Sequence, residues 1–124
     1  MTGDPEVFHF IREHVRSVWA LELLLLLKSD PERRWSVDEL VGALRASQSL
    51  VADNLTALGQ AGLVTPDDVG GFRYQPAADV LGRLCDDLEA AYRTKPVTVI
   101  RWISAPAERL RSLADAFKFK GGDK

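Results

Sequence analysis

Residues 47–64, SQSLVADNLTALGQAGLV, constrain the fold more than any other part of this 124-residue chain. Ser47 is a natural N-cap, because a hydroxyl there can accept from the free backbone N–H groups of a first helical turn. Val51, Leu55 and Leu58 follow at i, i+4 and i+7, which places them on one helix face. Gly62 stands where a left-handed C-cap is needed, and Leu63 anchors the chain beyond it. The segment therefore predicts a helix with one buried face, a defined start and an exit into extended chain. It contains no Lys or Arg.

The flanking chain supplies complementary elements. Apolar residues from Phe8 to Leu26 recur at helical spacing, with Asp4-Pro5 as a start signal and Ser29-Asp30-Pro31 as a stop. One helix is expected over residues 6–28. Its apolar surface exceeds one face, so a second subunit is expected against it. Ser36-Val37-Asp38-Glu39 has the form of a capping box opening a helix over residues 37–45, with Ala46 as the turn. Leu63-Val64-Thr65 and Phe72-Arg73-Tyr74-Gln75, joined by the turn-rich Pro66 to Gly71, read as a β-hairpin.

Beyond the hairpin, a helix is expected over residues 78–93. The segment 97–103 is β-branched like a strand, but Pro96 and the Val97, Ile100, Ile103 spacing also suit a short helix, which is preferred. A last amphipathic helix begins at Ala105-Pro106 and carries Leu110, Leu113 and Phe117 in line. Residues 1–92 hold 8 Lys and Arg against 15 Asp and Glu, a balance of −7. Residues 93–124 hold 8 against 3, a balance of +5. Two units follow: a domain over 1–93 and a basic helical arm over 94–124 that docks or dimerises.

Helix, helix, turn, helix and hairpin in this order resemble the winged helix-turn-helix. Ser47-Gln48-Ser49, the apolar Val51, Leu55 and Leu58, and the exit Ala61-Gly62-Leu63-Val64 resemble the recognition helix of bacterial ArsR- and MarR-type regulators. The similarity covers residues 18–76. It implies a mainly α fold with a small β-hairpin wing, here with an extra C-terminal helical arm. It also implies a cytoplasmic homodimer that binds double-stranded DNA and regulates transcription. Gln48, Ser49, Asp53 and Thr56 would face the bases, while Ser47, Arg45 and Arg73 would hold the backbone.

The chain departs from that family in charge. Ala52, Asp53 and Asn54 stand where basic or hydroxyl residues are common, and the turn of the hairpin holds Asp67 and Asp68. Residues 33–76 contain four basic residues (Arg33, Arg34, Arg45, Arg73) and five acidic ones (Asp38, Glu39, Asp53, Asp67, Asp68). Phosphate neutralisation supplies most non-specific affinity, so a single module of this kind should bind DNA weakly. The alternative is a winged-helix adaptor or antagonist that binds protein. It would use Leu50, Asp53 and the acidic turn, or a basic arm surface containing Trp102, Leu110, Leu113 and Phe117.

Other chemistries find little support. The single Cys85 excludes an intrachain disulfide and any cysteine-based metal cluster. His9 and His14 lie five residues apart, off the spacing that places two ligands on one helix face, so no metal is expected. Asp86, Asp87 and Glu89 read as a solvated acidic face. There is no nucleophile with base and orienting group, and no phosphate-cradling glycine loop, so neither an enzyme nor a cofactor is expected. Leu23 to Leu27 is too short to cross a membrane, and Asp4 and Glu6 before the apolar stretch do not match a signal peptide.

Overall fold

The apolar pattern between Asp4 and Ser29 runs without interruption, yet the chain turns in the middle of it. A computed structural model, which describes residues 4–104, forms two helices here: α1 (Asp4–His14) and α2 (Val18–Ser29). Ser17 makes the break. Its backbone is extended (φ −153°, ψ 160°), and its hydroxyl accepts from the Ala20 amide at 3.0 Å, capping α2. Val15 at the elbow is fully buried. The single helix expected over residues 6–28 is therefore two, because a mid-pattern serine serves as an N-cap once the chain folds back on one core.

The abundance of apolar surface on this segment is also accounted for within the chain. Leu21, Leu23, Leu24 and Leu27 of α2 are buried against α3 (Val37–Leu44), α4 (Gln48–Gln60) and the hairpin. Helix α1 is covered by α5 (Asp79–Thr94) and α6 (Pro96–Ser104). No second subunit is needed to cover α2, although Trp19 keeps 41% of its surface exposed.

Helix α3 opens with the expected capping box: the Ser36 hydroxyl accepts from the Glu39 amide at 3.1 Å, and the Glu39 carboxylate accepts from the Ser36 amide at 2.9 Å. It stops at Leu44, and Arg45 takes a left-handed conformation with φ 55°. Helix α4 then starts at the Ser47 cap, whose hydroxyl accepts from the Leu50 amide at 3.1 Å. Val51, Leu55 and Leu58 are buried beneath it. At its end Gly62 has φ 80°, the Leu63 amide donates to the Leu58 carbonyl, and Leu63 is fully buried.

Strand β1 (Val64–Pro66) pairs antiparallel with β2 (Phe72–Tyr74), Thr65 opposite Arg73. Trp35 adds a bridge to Phe72 through reciprocal backbone bonds of 2.8 and 2.7 Å, so the connector before α3 is tied to the sheet. Among the described residues the architecture is thus mainly helical, six helices with one two-stranded antiparallel hairpin.

The segment open between strand and helix is helix α6. Val99, Trp102 and Ile103 turn into the core, and the Trp102 ring meets Phe8 edge-on at 5.9 Å. Arg12 of α1 donates to the Ile103 carbonyl at 3.0 Å, and Lys95 pairs with Asp4. One core runs continuously from Val7 to Ile103, so residues 94–104 belong to the body and not to a separate arm. Trp102, expected at a protein contact, is a core residue. The expected last helix, with Leu110, Leu113 and Phe117, lies outside the described residues.

Candidate nucleic-acid interface

Burial of Val51, Leu55 and Leu58 leaves the opposite face of α4 outward by helical geometry. Ser49, Asp53 and Thr56 lie along it at i, i+4 and i+7, all exposed. Arg45, Ser47 and Gln48 are exposed at the turn leading into it. Six of the seven residues expected at DNA thus share one surface. The seventh, Arg73, is half-buried on β2 and donates to the Gln75 side chain at 3.1 Å.

Local hydrogen bonds organise this face. The Ser47 and Ser49 hydroxyls lie 3.4 Å apart, so the cap and the first turn share a small polar cluster. The Thr56 hydroxyl donates to the Ala52 carbonyl at 3.0 Å, and Asn54 donates to the Leu50 carbonyl at 2.8 Å. Thr56 therefore offers its oxygen outward as an acceptor only.

The four arginines around the motif divide into two pairs. Arg33 lies over the Trp35 ring, 3.5 Å from its centroid, and pairs with Glu39 at 3.5 Å. Arg34 stands 3.9 Å from Asp67. Both are engaged within the domain. Arg45 and Arg73 have no carboxylate partner among the described residues.

Asp67 organises the turn of the hairpin. One carboxylate oxygen accepts from the Val69 amide at 2.9 Å and from the Gly71 amide at 2.7 Å, while the Asp67 amide donates to the Gly71 carbonyl at 2.8 Å. Those two amides, Gly71 before Val69, hold its carboxyl below the usual range, with help from Arg34. A Cβ at Gly71 would stand 2.6 Å from the Asp67 carboxylate, so any side chain there would displace this brace. Asp67 is thus the internal brace of the turn and not an outward charge. Its position at the head of a Gly-rich turn was the available signal.

Leu50, expected at an exposed protein contact, is half-buried. It lines a small apolar crevice with Trp19, Leu44 and Ala46 where α2, α3 and α4 meet. Trp19 at that crevice was not singled out in the sequence, where it reads as one more core position.

The remaining candidates are structural. Lys28 on α2 pairs with Asp86 at 3.0 Å and Glu89 at 2.6 Å, so the acidic patch of α5 is in part a staple to α2 rather than a solvated face. Cys85 is buried, and burial pushes its thiol up to about 11. His9 packs edge-on against Phe8 and His14 tilts against Phe10. Among the described residues no three potential ligands cluster for a metal, and no helix is long and apolar enough to cross a membrane. Against known proteins, the chain matches no family model, no curated protein and no solved structure.

Proposed function

We propose that this chain is a winged helix-turn-helix DNA-binding regulator, similar in kind to ArsR- and MarR-type proteins, with α4 as its reading helix and the hairpin as its wing. The observation that carries the reading is the outward face of α4: a serine-capped start, Gln48 and Ser49 in the first turn, and Arg45 beside them, all exposed over a buried Val51, Leu55 and Leu58. The free N–H groups of such a helix start favour a phosphate. Gln48 can address an adenine edge in the major groove, and Asp53 can accept from a cytosine amino group. Arg33 is engaged by Glu39 and Arg34 by Asp67, which leaves Arg45 and Arg73 as the phosphate contacts.

With two such cations per module, affinity for DNA depends on pairing. A homodimer would place two copies of α4 about 34 Å apart, one turn of the duplex. The proposed role needs neither a cofactor nor a catalytic step, and belongs in the cytoplasm. Fluorescence anisotropy with promoter-region DNA at several salt concentrations tests it. Binding at low salt is expected, with the slope against log[salt] reduced by about 1 in Arg73→Ala and again in Arg45→Ala. Absence of binding at low salt, or slopes untouched by both substitutions, would overturn it.

One observation favours an adaptor that binds protein instead. Trp19 exposes 41% of its surface beside Leu50 at the start of α4, an apolar spot on a surface otherwise suited to DNA. A pull-down from the native cell that loses its partner in Trp19→Asp, together with no DNA binding, would establish that reading.

A further inference from the structure

The polar groups that α4 turns outward change in kind along its length. In the first turn Gln48 is exposed, and its amide can both donate and accept. Ser49 is exposed beside it, its hydroxyl 3.4 Å from that of Ser47. One turn further on the outward donors disappear. Asp53 is exposed, and its carboxylate only accepts. Thr56 gives its hydroxyl proton to the Ala52 carbonyl at 3.0 Å, so its oxygen remains as an acceptor. Asn54, half-buried, turns its amide nitrogen back to the Leu50 carbonyl at 2.8 Å. Helix α4 carries no Lys or Arg, and its next exposed amide, Gln60, is its last residue.

Base edges in the major groove differ in what they offer such a surface. Guanine shows two acceptors, thymine one acceptor and a methyl group, and adenine an acceptor beside its amino donor. Cytosine alone shows a donor without an acceptor. A carboxylate facing guanine or thymine is therefore set acceptor against acceptor, and facing adenine it meets N7 as well as the amino group. Asp53 and Thr56 are three positions apart on the helix, a rise of about 4.5 Å, near the ~3.4 Å between successive bases of a strand.

We infer that Asp53 and Thr56 make α4 selective for two adjacent cytosines on one strand, with Asp53 as the specificity-determining residue. The inference rests on the DNA-binding reading above and adds the bases that the site must contain. The same carboxylate repels phosphates whatever the sequence, so Asp53 lowers affinity for all DNA while it sharpens the choice among sequences.

Selection of the full chain against a pool of random-sequence duplexes at low salt, followed by anisotropy titration of the enriched site, tests it. The parent is compared with Asp53→Asn and Thr56→Val; both positions are exposed, so urea midpoints should agree among the three. The parent should enrich sites with adjacent cytosines on one strand, and exchange of either for thymine should weaken binding about tenfold. Asp53→Asn should move the preference at one of the two positions from cytosine to adenine, whose N6 and N7 an amide matches, and should bind random DNA more tightly than the parent. Thr56→Val should lose the preference at the neighbouring position alone. Sites without adjacent cytosines, or the same sites enriched by the parent and by Asp53→Asn, would overturn the inference and leave DNA binding standing. Retention of no DNA by any of the three proteins would overturn the DNA-binding reading, and the inference with it.

Discussion

Replacing Arg45 by glycine should make this protein more stable and, at the same time, a poorer DNA binder. Arg45 ends α3 in the left-handed region, with φ 55° and ψ 42°. It is the one non-glycine residue with positive φ among the described residues. A side chain in that region costs about 1–2 kcal/mol because Cβ crowds the following carbonyl. Glycine removes that crowding but returns about 0.4–1 kcal/mol to the unfolded chain as entropy. The net expectation is a gain of about 0.5–1 kcal/mol, or roughly 2–4 °C in Tm for a domain of this size. Urea denaturation should show a higher midpoint at unchanged slope. In anisotropy titrations the same variant should lose the Arg45 phosphate contact, and the salt slope should fall by about 1. Arg45→Ala separates the two effects, because alanine keeps the strained backbone: its stability should stay near that of the parent while its salt slope falls. A destabilised Arg45→Gly would refute the reasoning about the turn. A stabilised Arg45→Gly with an unaltered salt slope would refute the reasoning about DNA.

Three further outcomes are expected. Ser17→Ala should cost about 1 kcal/mol in chemical denaturation, since the cap between α1 and α2 is lost; no change would mean that the break is held by packing alone. Trp102→Ala should cost about 3–5 kcal/mol as a core truncation against Phe8, whereas a loss under about 0.5 kcal/mol would restore the idea of a surface residue. For Asp67 the folded carboxyl titrates below its unfolded value, so its contribution is present above about pH 4 and is lost as pH falls through the lower folded value. Asp67→Asn should therefore flatten the acid side of the stability–pH curve measured by urea midpoints, and an acid limb identical to that of the parent would count against the brace.

What the sequence determined by itself is what neighbouring residues decide among themselves. The Ser36–Glu39 box, the Ser47 cap, the Val51, Leu55 and Leu58 face and the Gly62 exit all depend on groups within a few positions of each other, and all were legible. So was the hairpin, although its first strand is shifted by one residue and its second ends one residue early. The outward set on α4 followed directly, since burying one helical face exposes the other.

Tertiary structure decided what depends on distant partners. Ser17 is no weaker a helix residue than many, and it becomes a cap only because both helices bury their apolar faces in one core around Val15. Trp102 has the composition of an interface residue until Phe8, far away in sequence, covers it. Asp67 counts as a surface charge until Val69, Gly71 and Arg34 close on it, and the acidic patch of α5 reads as solvated until Lys28 arrives from α2. In each case periodicity reports which residues want burial or pairing, while the partner that satisfies them is chosen by how the helices pack.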